Sequence, residues 1–180
     1  AISSAISAGA EPMIWFENPK QMPANLEEYL GGIEATLNQA STYNVKLIRY
    51  GNEPDNTAYW MGTQQEFFEL YSSVADTIKS TSPDFIIEAP GFMNAMSGNS
   101  INQWITSFLE YCNNNDVPID IFSFHTYSSS PYTFYRNSKL IGEELSKYPG
   151  LSPIYGNPKL ANDEWNLLTG DQWRKGAYAS

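Results

Sequence analysis

Two rhythms alternate along this chain, a short apolar run and then a longer stretch with apolar residues at helical spacing, and the pair recurs five times. Leu26, Tyr29, Leu30, Ile33 and Leu37 keep the helical interval behind Asn25, which can cap a helix with Glu28 three residues on. Thr63-Gln64-Gln65-Glu66 is a capping box ahead of Phe67, Leu70, Tyr71, Val74 and Ile78, which lie on one helical face. A third helix is predicted from Ser100, with Ile101, Trp104, Ile105, Phe108, Leu109 and Cys112 inward, ending at Asn113-Asn114-Asn115. A fourth is predicted over about 138–148, and a fifth begins at Asp171 with Trp173 and Ala177 inward. Residues 1–8 look like the tail of a helix stopped by Gly9.

The runs between these helices read as strands. They cover residues 12–16, 45–50 and 85–89, the last followed by Pro90-Gly91 opening a loop, then 119–127 and 159–165. In the fourth, Phe122 and Phe124 alternate with Ser123, His125 and Tyr127. Alternation in the fifth puts Asn162 and Glu164 on one face and Asp163 and Trp165 on the other. Repeated strand-then-helix units imply an α/β fold, a parallel sheet flanked by helices in one domain over residues 1–180. Five units are fewer than an eightfold barrel contains, since such barrels typically need about 250 residues.

Charge and composition narrow the function. A formal charge of −10 repels polyanions, so nucleic acid is not an expected partner. There is no apolar run of membrane-spanning length and no secretory signal pattern, although the chain opens at Ala1 and earlier residues are expected to be missing. One cysteine, Cys112, and one histidine, His125, exclude an intrachain disulfide and the usual zinc sites, so no metal or cofactor is expected. Neither a Gly-x-Ser-x-Gly elbow nor a phosphate-binding glycine loop is present. Aromatic residues make up 14% of the chain, and rings of this kind both fill cores and stack on sugars.

Three strand ends carry the chemistry: Asn52-Glu53-Pro54, His125-Thr126-Tyr127 and Asp163-Glu164-Trp165-Asn166. Read alone, Asn-Glu-Pro-Asp is equally a polar turn. In parallel α/β folds, however, all strand C-termini open onto one face, so two glutamates, a histidine and a tyrosine would converge there. Two facing carboxyl groups suit glycoside hydrolysis, one giving a proton to the leaving oxygen and the other attacking or stabilising the sugar's developing cation. Asn52 is placed to bond a sugar 2-hydroxyl, and His125 or Tyr127 to orient the second carboxylate. Trp15 and Trp60 are read as packing residues and Trp165 as a sugar-stacking ring. By alternation Arg49 shares a face with Glu53, either as its charge partner or in a plain interior ion pair.

These residues, Gly51-Asn52-Glu53-Pro54, Ser123-Phe124-His125-Thr126-Tyr127 and Asp163-Glu164-Trp165-Asn166, resemble the retaining glycoside hydrolases of clan A. The Glu-Trp-Asn run and the stretch from Phe67 to Pro90 bring the chain nearest to family 39, the xylosidase and iduronidase group. The resemblance implies Glu53 as acid/base and Glu164 as nucleophile, in a partial (β/α)8 barrel holding its third to seventh strands. It further implies a carbohydrate substrate, with O-glycosidic bonds of plant-type or similar oligosaccharides or polysaccharides hydrolysed by double displacement. The first, second and eighth strands have no counterpart, so missing segments or a partner chain are expected to complete the wall. The alternative is a carbohydrate-binding barrel fragment with little or no catalysis.

Overall fold

The structure is a computed structural model that describes residues 2–167; the helix expected from Asp171 lies outside them. A short helix, α1 (Ile2–Ser7), precedes strand β1 (Met13–Phe16). Helix α2 (Leu26–Ser41) leads to β2 (Leu47–Tyr50), and α3 (Gln64–Thr81) to β3 (Ile86–Phe92). A two-stranded hairpin, β4 (Met96–Ser97) and β5 (Ser100–Ile101), is followed by α4 (Gln103–Asn114). Strand β6 (Ile121–Ser128), helix α5 (Pro131–Leu145) and strand β7 (Lys159–Leu167) complete the series.

The five long strands form one parallel sheet in the order β1-β2-β3-β6-β7, as the strand-then-helix rhythm requires. Its two faces differ in chemistry. Ile48, Ile87, Ala89, Phe122 and Phe124 are fully buried and belong to the hydrophobic core, with Phe67, Leu70, Tyr71, Val74 and Ile78 of α3 and Ile105, Phe108 and Leu109 of α4. Phe108 sits at the centre of this core, its ring 4.9 Å from that of Tyr71 and 5.6 Å from that of Phe92. The other face carries Trp15, Arg49 and Glu88 in register, with Ser123 and His125 beside them.

The helix starts follow from side-chain capping. Asn25 accepts the Glu28 N–H, and Thr63 and Glu66 cap each other's backbone reciprocally, satisfying N–H groups that a helix leaves unpaired. At the sheet's N-terminal end the fully buried Asp120 accepts from Lys79 Nζ at 2.7 Å, Ile87 N at 2.9 Å and Ser152 Oγ at 2.7 Å, tying α3, β3 and the segment before β7 together.

Four expectations are corrected. Strand β3 does not stop before Pro90-Gly91: Gly91 takes up a bulge at φ 66°, its N–H donates to Ser123 Oγ at 3.0 Å, and Phe92 returns to register opposite Phe124. Ser100 and Ile101 are hairpin, not helix; α4 begins after Asn102, whose side chain accepts the Trp104 N–H. Helix α5 starts at Pro131 rather than near residue 138 and ends at Leu145, because proline is pre-organised for the first helical position. The simple alternation expected in β7 is broken by a register shift, Phe124 pairing with Asn162 but His125 with Glu164, which leaves Asp163 as the extra residue.

Candidate active site

Glu53 follows β2 at φ 46°, a left-handed conformation that costs a residue with a Cβ about 1–2 kcal/mol. The surroundings hold it there. Its N–H donates to the Gly91 carbonyl at 2.8 Å, and its carbonyl accepts from Asn56 N at 2.9 Å. The side chain is buried, Oε1 lying 2.9 Å from His125 Nδ1 and Oε2 accepting from Asn56 Nδ2 at 2.9 Å. Asn52 is fixed through its backbone, whose N–H donates to Asn18 Oδ1 at 2.7 Å. The Asn52 Oδ1 is buried and has no hydrogen-bond partner among the described residues.

Glu164 enters from β7, and its Oε1 accepts from the Tyr127 hydroxyl while Oε2 lies 3.6 Å from His125 Nε2. Burial, followed by the bond to Glu164 and its charge, holds the Tyr127 phenol above its ordinary range, so it remains a donor at neutral pH. Glu53, His125 and Glu164 each offer an atom within 4.8 Å of the others, so two carboxyl groups flank one imidazole. The same three groups could contribute ligands to a cation, but Glu53 Oε1 and His125 Nδ1 are already committed to one another.

Arg49 lies in the floor of the site. Its Nη2 is 2.6 Å from Asp163 Oδ2 and 3.4 Å from His125 Nε2, and its guanidinium stacks 4.6 Å from the centre of the Trp15 ring. The contact with Asp163 is a close ion pair rather than an aligned hydrogen bond, since neither Asp163 oxygen has a hydrogen-bond partner among the described residues. Of the two sequence readings of Arg49, the interior ion pair is the one formed. Burial raises the Asp163 carboxyl above its ordinary pKa, with Arg49 and His125 opposing the rise; Glu88 is raised by burial and by Asp163, again against Arg49.

The structure thus brings Asn52, Glu53, His125, Tyr127 and Glu164 to one mouth. Tyr127 contacts the second carboxylate through its hydroxyl, and the close partner of His125 is the first carboxylate, Glu53. Trp165 is not brought there: it is 64% exposed, stands edge-on to Phe134 of α5, and shares a shallow cleft with Pro131, Phe134 and Asn162. Asp163, expected on Trp165's face, joins Glu164 on the site face because of the bulge, and Asn162 takes its place beside Trp165. Trp60 is a packing residue, buried against Phe67, whereas Trp15 is half exposed over Arg49. Sequence reasoning missed Asn18, Asn56 and Gly91. Asn56 stands three residues after Glu53 in the same turn, a spacing that could have flagged it.

The model of the family "Glycosyl hydrolases family 39" matches residues 38–149. A beta-xylosidase of Geobacillus stearothermophilus is 28% identical over 132 residues, 69% of this chain but 25% of that protein, and one of Caldicellulosiruptor saccharolyticus is 28% identical over 130. This chain therefore spans about a quarter of the length of these relatives. A glucosidase structure from Croceicoccus marinus superposes with a TM-score of 0.78 at 20% identity, covering 93% of this chain and 36% of that one. A monomeric beta-xylosidase structure from Caulobacter crescentus does so with 0.74 at 18%, covering 92% and 39%. The five parallel strands and the helices between them are accordingly part of a (β/α)8 barrel. Matched by the family model over well over half its length, the chain belongs to family 39 of the glycosyl hydrolases.

Proposed function

We propose that this chain carries the catalytic mouth of a retaining glycosidase acting on xyloside-type O-glycosidic bonds in plant-type oligosaccharides or polysaccharides. The observation that carries the reading is the approach of the Glu53 and Glu164 carboxylates to within 4.8 Å, one following β2 and the other on β7, with β3 and β6 between those strands in the sheet. Retaining enzymes hold their carboxyl groups about 5–5.5 Å apart, whereas inverting enzymes leave about 6.5–9.5 Å for a water. A Glu164 oxygen attacks the anomeric carbon while Glu53 gives its proton to the glycosidic oxygen, and the alcohol departs. Water then attacks the same carbon, loses a proton to Glu53, and frees the Glu164 carboxylate. The unpartnered Asn52 Oδ1 is available to accept from a sugar hydroxyl.

The complete polypeptide, treated with a 2-fluoro-xyloside bearing a good leaving group, is expected to become labelled on Glu164, and Glu164→Ala to lose turnover. A label on another residue, or undiminished hydrolysis by that variant, overturns the assignment.

A second reading applies to residues 1–180 alone. Among the described residues β1 and β7 pair on one side only, and Trp15 at the β1 edge is 49% exposed, so part of the wall is supplied from elsewhere. Sugar binding without release of an aryl aglycone, by this piece but not by the complete polypeptide, supports that reading; measurable release by the piece contradicts it.

A further inference from the structure

The charged groups of the mouth and floor gather around one imidazole. His125 is the only histidine of the sequence and is 1% exposed. Nδ1 faces the Glu53 carboxylate at 2.9 Å. Nε2 faces three groups: Arg49 Nη2 at 3.4 Å, Glu164 Oε2 at 3.6 Å and Asp163 Oδ1 at 3.8 Å. Tyr127 meets the ring edge-on. A neutral imidazole has one proton for two nitrogens, and their neighbours decide which nitrogen keeps it. A guanidinium has no lone pair to offer, so the group nearest Nε2 can only donate to it.

We propose that Arg49 is a positioning residue: anchored by its ion pair with Asp163, it donates to His125 Nε2 and so confines the imidazole proton to Nδ1, which gives it in a hydrogen bond to Glu53 Oε1.

The surroundings of Arg49 are built for this. Trp15 covers the guanidinium, with its ring centre 4.6 Å away and its Nε1–H donating to the Gly51 carbonyl at 3.3 Å. On the strand beside it stands Gly91, where an added Cβ would lie 2.9 Å from Arg49 Nη2 and 3.2 Å from His125 Nε2. A residue with no side chain leaves the two groups free to approach. The consequence for Glu53 is an asymmetry between its oxygens. Oε1 accepts from Nδ1–H, so Oε2, beside the Asn56 amide, is the oxygen left to carry a transferable proton. Only this last step rests on Glu53 as the acid/base; the tautomer itself does not.

The free histidine side chain favours the Nε2–H form, so the proposed arrangement inverts an intrinsic preference and is visible spectroscopically. The test is ¹⁵N NMR of the complete polypeptide labelled at histidine, near neutral pH, with His125 assigned by the loss of its signals in His125→Gln. The expected pattern is a protonated, pyrrole-type Nδ1 and an unprotonated, pyridine-type Nε2. An Nε2–H form or a doubly protonated ring overturns the proposal. In Arg49→Met the pyrrole-type signal is expected to leave Nδ1 for Nε2, and in Arg49→Lys, which restores a donor, to return. A tautomer unchanged in Arg49→Met removes Arg49 from the role, and the wild-type spectrum decides if that variant does not fold. A wrong tautomer with Glu164 still labelled by the fluoro sugar defeats this inference alone; the expected tautomer with no labelling defeats the proposed reaction alone.

Discussion

Asp163 and Glu164 are neighbours in the chain, yet both direct their carboxylates to the same face of the sheet, one to Arg49 and the other to Tyr127 and His125. In a regular strand successive side chains oppose each other. The bulge opposite Phe124 and His125 supplies the extra residue that turns Asp163 inward, adding a second acid to a floor that already holds Glu88 beside Arg49.

Crowding these acids predicts a pH-dependent stability. The Asp163 and Glu88 carboxyls are raised above their ordinary values of 3.8 and 4.5, chiefly because burial disfavours the charged form. The folded state therefore holds these protons more tightly than the unfolded state. Their contribution to stability is fully present below the ordinary values and is lost as pH rises through the raised ones. Urea midpoints are expected to decline over that window, starting near pH 4, and the decline to flatten in an Asp163→Asn, Glu88→Gln double variant. An equal decline in both proteins contradicts this assignment.

Gly91→Ala is expected to destabilise the fold by about 1–2 kcal/mol from backbone conformation alone, since a Cβ disfavours φ 66°. The cost is larger if Arg49 and His125 must withdraw from the added methyl. Denaturant titration gives the energy, and a displaced His125 ¹⁵N spectrum reports the withdrawal.

Tyr127→Phe removes the hydroxyl that donates to Glu164 and leaves the ring. A hydrogen bond to a charged group contributes about 1.5–3 kcal/mol. Because the hydroxyl also holds Glu164 in line for attack, its loss is expected to lower kcat/KM of the complete enzyme by roughly tenfold, up to about hundredfold. Steady-state kinetics on an aryl xyloside measure it, and an unchanged kcat/KM removes Tyr127 from the mechanism.

Asp120→Ala tests a part of the molecule remote from the mouth. It leaves Lys79 and the Ile87 N–H without their buried acceptor, and breaking a buried pair costs about 3–5 kcal/mol. Urea unfolding is expected to show that loss, while labelling of Glu164 in the protein that remains folded is unchanged.

Much of the fold was legible because its signals are local. The capping box at Thr63 and Glu66 and the spacing of Phe67, Leu70, Tyr71, Val74 and Ile78 announce α3 within a few residues of sequence. Elements were misread where a local cue competed with a distant partner. Pro90-Gly91 looks like the end of a strand until Ser123 is seen to accept the Gly91 N–H across the sheet. Ser100 looks like a helix cap until Ser97 is found pairing with it.

By itself the sequence determined the order of strands and helices, and with it the strand ends at which Asn52, Glu53, His125, Tyr127 and Glu164 stand, because a parallel α/β arrangement sends those ends to one side. Tertiary structure alone decided which side chain meets which. His125 approaches Glu53 across 72 residues and Arg49 across 76. Asp163 faces the site because one bulge in β7 resets an alternation that periodicity assumes unbroken, while Trp165 keeps the face opposite Glu164. Periodicity reports which face a residue occupies within its own element; register between elements is fixed by backbone pairing, and a single inserted residue there changes the chemistry of the site.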